Sequence, residues 1–335
     1  MTRLVSVVIP CRNEVKSIRT TVEALLNSQG IQVEVLVVDG MSEDGTRKVI
    51  DDLAAKDPRV RRVDNPMRLT PYAFNLGVQS ARGEFVQIVG SRNVLAPDYI
   101  LLLLRALEAH PEVACVGGDY QHVSDSLSGR YISLAMESKF GVGMGNYRTM
   151  LKDALVDTVG VPLYRRDIFT KVGMFDENLT RNQDDDFNFR VRAQGHKILY
   201  VHGAKTTYLV RGSLRKAFRQ YSQYGYFKVF VNRKHKAVTT MRQLVPPAFV
   251  LFWIVGLPLA FLVKPVAVLL VGVGMLYVAT GLALSGKKLT LLERLNVFKA
   301  CAVLHLGYGV GYLQGIWDFL IIHRAPRTSF QQQTT

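Results

Sequence analysis

Val5-Ser6-Val7-Val8-Ile9-Pro10-Cys11-Arg12-Asn13-Glu14 is a β-branched run closed by proline and followed by a polar loop. Such a run reads as a strand buried on both faces, the kind found in parallel sheets. The pattern repeats outward from it. Ile18 to Leu26 has helical apolar spacing, and Val33 to Val38 is a second strand ending at Asp39-Gly40. A helix over about Thr46 to Ala55 and a short strand, Val60 to Val63, come next. Strand, helix, strand, helix, strand predicts a doubly wound α/β sheet. Ligands of such sheets sit beyond the carboxyl ends of the strands, which here carry Pro10 to Glu14 and Asp39 to Asp44.

The loop Asp39-Gly40-Met41-Ser42-Glu43-Asp44-Gly45-Thr46 has two glycines for a tight turn. Its Asp and Ser side chains suit backbone or ligand bonds. A carboxylate at a strand end is placed to bind a ribose hydroxyl or a base N–H. The same residues also read as an ordinary loop, with Asp44 or Thr46 capping a helix. There is no G-x-G-x-x-G and no G-x-x-x-x-G-K-[ST], which argues against a nicotinamide site and excludes a P-loop. Further on, Pro71 to Ala81 reads as a helix and Glu84 to Val89 as a strand leading into Gly90-Ser91-Arg92-Asn93. Pro97 to Ala109 reads as a helix and Val113 to Gly118 as a strand. From Ser124 to Lys152 the periodicity weakens, and an acceptor-binding region is one reading of that stretch.

A second landmark is Asn182-Gln183-Asp184-Asp185-Asp186-Phe187-Asn188-Phe189-Arg190. Acids before an apolar-periodic run open helices and suit the helix dipole. Crowded carboxylates also raise a pKa, which is how a general base is poised. The local sequence supports both readings.

The 335 residues suffice for one large domain with an appendage, or for two domains. Lys and Arg number 42 against 27 Asp and Glu, a formal charge of +15, so an anionic partner is expected. Cys11, Cys115 and Cys301 show no metal, redox or disulfide spacing. Met1-Thr2-Arg3-Leu4 runs directly into a strand, so the N-terminal part is expected in the cytoplasm.

Several motifs, in order, resemble the family-2 glycosyltransferases, whose nucleotide-sugar-binding fold is called GT-A. They are Val7-Val8-Ile9-Pro10-x-Arg12-Asn13-Glu14, Val37-Val38-Asp39-Gly40-x-Ser42-x-Asp44-Gly45-Thr46, Asn75-x-Gly77 with Ala81-Arg82-Gly83-Glu84, Ala96-Pro97-Asp98-Tyr99, Gly173-x-Phe175-Asp176-Glu177 and the acidic stretch from Asn182. The Asn-Gln-Asp-Asp form and the apolar C-terminal part are most similar to the succinoglycan-biosynthesis type of membrane-anchored transferase. The resemblance implies a Rossmann-like mixed sheet followed by transmembrane helices. It implies that Asp39 contacts the nucleoside and that Pro10, Arg12 and Glu14 line the nucleotide pocket; Ser42, Asn75 and Arg92 are further donor-site candidates. Asp184 takes the place of the base that deprotonates the acceptor hydroxyl, with Gln183 where a Glu is usual and Asp185 beside it. The resemblance also implies Mg²⁺ or Mn²⁺ held by an Asp-x-Asp pair. Gly90, Ser91 and Arg92 stand there instead, so metal use is left open, with Asp119 or Asp185 as other ligands and Arg92 as a cation near the phosphates.

From Phe187 to Leu292 there is no Asp or Glu, and residues 187–243 hold thirteen Lys and Arg. Leu214, Phe218, Tyr221, Tyr224 and Phe227 recur at helical spacing, with Arg215, Lys216, Arg219 and Lys228 off that stripe. This reads as a helix lying on an anionic membrane surface, or as a core helix with a solvated basic face. No nucleic-acid module accompanies it, and no nucleic-acid partner is expected. Arg219-Gln220-Tyr221 resembles the segment that guards the acceptor in membrane-bound relatives. Leu244 to Val263 and Pro265 to Ser285 are uncharged and long enough to span ~30 Å of hydrocarbon. Ala300 to Trp317, with His305, is a third apolar stretch that either spans or lies re-entrant. His305 reads as a satisfied interhelical histidine. The expected organisation is a GT-A domain over 1–210, a basic interfacial region over 211–243, a membrane part over 244–322 and a disordered tail over 323–335.

The expected function is a membrane-anchored inverting transferase at the inner membrane, with its catalytic domain cytoplasmic. It would use a UDP-linked sugar and a lipid-linked or polysaccharide acceptor. The alternatives are a polyprenyl-phosphate sugar synthase and a non-catalytic scaffold subunit of a polysaccharide assembly complex.

Overall fold

The structure, a computed structural model, describes residues 3–143, 147–210, 212–286 and 288–331. Lys287 of the basic loop, Arg211 of the basic region and residues 332–335 of the tail lie outside the described residues. The first elements are β1 (Leu4–Cys11), α1 (Ile18–Leu26), β2 (Gln32–Asp39), α2 (Thr46–Lys56), β3 (Val60–Asp64) and α3 (Thr70–Ser80). Then come β4 (Phe85–Ile88), β5 (Asn93–Leu95), α4 (Tyr99–Ala109), β6 (Val113–Val123), α5 (Leu127–Glu137) and the one-turn α6 (Lys139–Val142). β7 (Ala154–Leu155), β8 (Leu163–Arg165), α7 (Ile168–Val172), α8 (Gln183–Ala193) and β9 (Lys197–Leu209) follow. The rest is helical: α9 (Leu214–His235), α10 (Val245–Ala260), α11 (Lys264–Leu284), α12 (Leu291–Gly315) and α13 (Thr328–Gln331).

Two compact units result, residues 1–121 with 150–209, and residues 122–149 with 210–335. The first is built on a sheet of order β3-β2-β1-β4-β8-β6-β9-β5, with β7 beside β9. β1 is parallel to both β2 and β4, and β2 to β3, while β8 is antiparallel to β4 and β6. Val5, Val7, Val8 and Ile9 are fully buried, because helices cover both faces of the parallel part. α3 reaches β1 closely only because position 77 is glycine: a Cβ there would lie 2.2 Å from Val8 Cγ1. Glu34 ties the sheet together from inside. It accepts the Ser6 hydroxyl at 2.6 Å, the Arg82 N–H at 2.7 Å and the Arg61 guanidinium at 2.9 Å. Burial pushes its carboxyl up, and the bonds from Ser6, Arg82 and Arg61 outweigh that and hold it below its ordinary value.

Four short or late strands, β5, β7, β8 and β9, escape the sequence reading. β8 has three residues, and β9 mixes polar and apolar residues around Gly203, which adopts a φ of +89°. Residues 122–149, expected inside the 1–210 domain, group with the C-terminal helices. There Arg130 pairs with Glu293 at 3.4 Å, and the Ser138 hydroxyl lies 3.7 Å from Cys301 Sγ.

The second unit corrects two further expectations. α9 is a core helix of this unit rather than a helix resting on a surface. Ser222, Gly225, Tyr226, Phe227 and Val229 are buried. A glycine seam explains the close fit to α12. A Cβ at Gly225 would lie 2.1 Å from the Tyr308 carbonyl, and one at Gly311 would lie 2.0 Å from that of Ser222. Arg215, Lys216 and Arg219 stay exposed while Lys228 is buried, so only the first part of the basic face is the solvated back of a packed helix. The tail expected to be disordered is tethered as far as it is described. Asp318, fully buried, accepts from Arg324 and, at 2.6 Å, from Arg327. Phe330 stacks on Tyr226 with centroids 4.1 Å apart.

Among the described residues two helices are long and apolar enough to cross a membrane, Met241–Ala260 and Lys264–Leu284. Both expose large apolar side chains such as Ile254, Leu257, Val268 and Leu276. The third apolar stretch falls in α12, whose buried side chains include Val297, Leu304 and Tyr312. His305 lies 2.8 Å from both the Tyr277 hydroxyl and the Phe140 carbonyl, which satisfies both ring nitrogens.

Candidate active site

The loops after β1, β2 and β4 converge in the first unit. Asp39 ends β2 and is fully buried. Its carboxylate accepts the Ser42 hydroxyl at 2.5 Å, the Ser42 N–H at 3.1 Å and the Arg47 guanidinium at 2.9 Å. Ser42 Oγ accepts the Asn13 N–H at 2.8 Å, and Asn13 Oδ1 accepts the Glu43 N–H at 2.9 Å. Thr46 Oγ1 accepts the Glu14 N–H at 2.9 Å while donating to Asp44 at 2.5 Å. These bonds zip the β1–α1 loop to the β2–α2 loop and fix their backbones in advance of any ligand. Asn13 and Met41 hold left-handed φ values of 55° and 56°. Non-glycine residues in that region concentrate at ligand sites. The buried Cys11 thiol beneath them is pushed up, first by burial and then by the charges of Asp39, Glu14 and Asp44. Its burial also keeps it from solvent and ligand, as for a structural thiol.

Arg92, on the loop after β4, donates from Nε to both Glu14 carboxylate oxygens, at 3.0 and 2.8 Å. Pro10 closes β1 half-buried, and the Arg12 side chain packs on Gly40, where an added Cβ would meet it at 3.3 Å. The structure thus brings Pro10, Arg12, Glu14, Asp39, Ser42 and Arg92 to adjacent strand ends. Asn75 makes its hydrogen bonds elsewhere. Its amide donates to the Phe175 carbonyl at 3.0 Å and to Glu177 at 2.9 Å, and its Oδ1 accepts the Phe175 N–H at 3.0 Å. Asn75 clamps the segment before α8.

α8 sorts the three acids by exposure. Asn182 precedes it with a φ of 59° and makes no side-chain cap. Asp186 is fully buried and accepts from Arg190 at 3.0 Å, while Arg190 also donates to the carbonyls of Val172 and Met174 at 2.7 and 2.8 Å. Phe187 packs against Phe175 and Phe169 with centroids 4.6 and 5.0 Å apart, and edge-on against Tyr164. The helix start is therefore rigid. Asp184 is exposed on it and Asp185 half-buried. Asp184 also lies near the sheet: burial first, then the charges of Cys115 and Asp184, push the Tyr164 hydroxyl well up. Gln183 is buried, and its Oε1 has no hydrogen-bond partner among the described residues. Gln220 and Tyr221 belong to the second unit. There Gln220 donates to the Tyr224 hydroxyl at 2.7 Å, and burial pushes the Tyr221 phenol up to about 12.

A family model described as glycosyl transferase family 2 matches residues 6–173. The chain is 30% identical over 327 residues to the succinoglycan biosynthesis protein ExoA of Rhizobium meliloti (strain 1021), covering 93% of this chain and 95% of that one. The chain belongs to glycosyl transferase family 2. A second relative is the dolichyl N-acetyl-alpha-D-glucosaminyl phosphate 3-beta-D-2,3-diacetamido-2,3-dideoxy-beta-D-glucuronosyltransferase of Methanococcus voltae. It is 27% identical over 239 residues, 69% of this chain and 74% of that protein. Among solved structures, the mannosyltransferase PcManGT from Pyrobaculum calidifontis, in complex with GDP-Man and Mn²⁺, matches with a TM-score of 0.65 at 18% identity. That match covers 95% of this chain and 88% of the mannosyltransferase, a likeness of fold. The mixed sheet is the GT-A fold, and the chain is a glycosyltransferase.

The metal expected of such a family-2 fold does not fit the residues present. Gly90 has no side chain and Ser91 only a neutral hydroxyl, so neither brings a carboxylate to a metal. Arg92 brings a positive charge where a hard cation needs oxygen ligands. Asp119 is taken by the Tyr200 hydroxyl and, at 3.0 Å, by the Gly203 N–H. Among the described residues no group of three or more His, Cys, Asp and Glu could hold a metal ion. The sequence reading missed Arg47, which joins Asp39 to Asp64 across the ends of β2 and β3. Its only signal is a basic residue in the first turn after the Asp39 loop.

Proposed function

We propose that this family-2 glycosyltransferase is a membrane-anchored inverting enzyme using a UDP-linked sugar. Its acceptor is a lipid-linked or polysaccharide glycan in exopolysaccharide or cell-surface glycan synthesis. The observation that carries the reading is the exposed Asp184 at a rigid helix start, in the same unit as the zipped loops around Asp39. In the reaction the acceptor hydroxyl attacks the anomeric carbon from the face opposite the diphosphate. Asp184 takes the hydroxyl proton, the new C–O bond forms, and the pair of the broken C–O bond leaves on the nucleoside diphosphate. The names of the Rhizobium and Methanococcus relatives support a glycan product and a lipid-linked acceptor. The missing acidic pair favours a second reading, a non-catalytic scaffold. Purified full-length protein in detergent, offered radiolabelled UDP- and GDP-sugars with membrane lipid extract, separates the two. Label moving into the organic phase from one UDP-sugar is the expected result. Neither transfer nor hydrolysis across the panel leaves the scaffold reading.

The anchor is α10 with α11, whose exposed apolar side chains fit lipid. The basic loop 286–299 and residues 1–243 then face the cytoplasm, with Lys264 outside. The native cysteines are all buried. On a background lacking them, Lys288→Cys is expected to resist an impermeant maleimide in intact cells, and Lys264→Cys to react. The reverse pattern overturns the topology.

A further inference from the structure

The strand order reverses at β1. The chain runs from β1 to β2 and β3 on one side, then returns to β4 on the other. The crevice outside the carboxyl ends of β1 and β4 is thus a topological switch point, where open α/β sheets bind their ligands. The Glu14–Arg92 pair spans it, at 2.8 Å, from the loops that follow these two strands. Only Nε of Arg92 is used in that pair, and the two terminal amino groups have no partner among the described residues. The side chain is 24% exposed, enough to be reached by a ligand while Glu14 fixes its direction. A guanidinium carries a permanent charge, and its terminal nitrogens match the paired oxygens of a phosphate. The guanidinium of Arg12, on the loop after β1, likewise has no partner among the described residues.

We propose that Arg92, oriented by Glu14, binds the donor's diphosphate and stabilises the charge that develops on it, in the place where other GT-A enzymes use a divalent cation. The proposal rests on the nucleotide-sugar reading above. Gly90 supplies no carboxylate for a metal, and Arg92 brings the charge the metal would have brought. As the anomeric C–O bond breaks, its electron pair moves onto the diphosphate oxygen, and the Arg92 fork donates hydrogen bonds to the oxygens that gain charge. Asp184 holds the acceptor proton, so no further reactant is needed.

The test is calorimetric binding of UDP, GDP and uridine to the full chain in detergent, in EDTA and in Mg²⁺, for the wild type, Arg92→Ala and Arg92→Lys. Wild-type UDP affinity is expected to differ by less than about threefold between EDTA and Mg²⁺. Arg92→Ala is expected to weaken UDP by roughly tenfold to a hundredfold, the range for a lost charged hydrogen bond, and to leave uridine unchanged. Arg92→Lys keeps a cation beside Glu14 and is expected to recover part of the UDP affinity. UDP binding that needs Mg²⁺, with Arg92→Ala like wild type, overturns the proposal and leaves the donor reading standing. Equal loss of UDP and uridine overturns it as well, since that is what a purely structural ion pair would do. A wild type that binds no nucleotide in either condition overturns the donor reading, and this proposal with it.

Discussion

Asp184→Asn is expected to lower kcat by roughly 10²–10⁴-fold and to leave donor affinity within about threefold of wild type, because the role proposed for Asp184 is that of a general base and not of a binding contact. The structure gives the reason for choosing Asp184 among three adjacent acids. Asp186 is buried and committed to Arg190, which in turn holds the carbonyls of Val172 and Met174. Asp186→Asn should therefore act on stability, leaving the Arg190 charge short of its partner. Asp184 is exposed in the first turn of α8, where an acceptor can reach it. Steady-state kinetics and thermal unfolding on the same two variants separate these effects. An Asp184→Asn enzyme retaining more than about a tenth of wild-type kcat would shift the role of base to another group, with the half-buried Asp185 tested next.

The parts of the fold that were legible in the sequence are those whose cause is local. β1, α1, β2 and α2 announce themselves because each buries a face set by its own period, and the loops between them carry their own turn and cap residues. The acidic start of α8 is legible for the same reason. What was not legible depends on partners far along the chain. Arg92 stands 78 residues from the Glu14 that orients it. Asn75 stands 100 residues from the Phe175 it clamps, a contact its motif does not announce. For α9 the sequence left two readings open. Its aromatic stripe and basic flank suit a membrane surface as well as a core, while the feature that decides its packing, the fit of Gly225 to Tyr308 and of Gly311 to Ser222, is invisible within the helix itself.

That glycine seam sets up a prediction in which two forces oppose each other. Alanine is the better helix former by about 1 kcal/mol, so propensity alone stabilises a Gly→Ala change inside any helix. At Gly311 packing wins. The new Cβ would lie 2.0 Å from the Ser222 carbonyl oxygen and 2.7 Å from Ser222 Cα, both backbone atoms of a packed helix, so α9 and α12 must part. Gly311→Ala is expected to destabilise the helical unit by about 1–3 kcal/mol, the range for overpacking a tight site. Gly272 on α11 is the internal comparison, since nothing lies within 4 Å of its added Cβ. Gly272→Ala should stay within about 0.5 kcal/mol of wild type or gain slightly. Thermal unfolding in detergent, with α9 and α12 reported by a cross-linked cysteine pair across the seam, reads both variants. If Gly311→Ala melts at or above the wild-type temperature, α9 is not held by backbone contact. The reading of it as a helix lying on the membrane surface would then return.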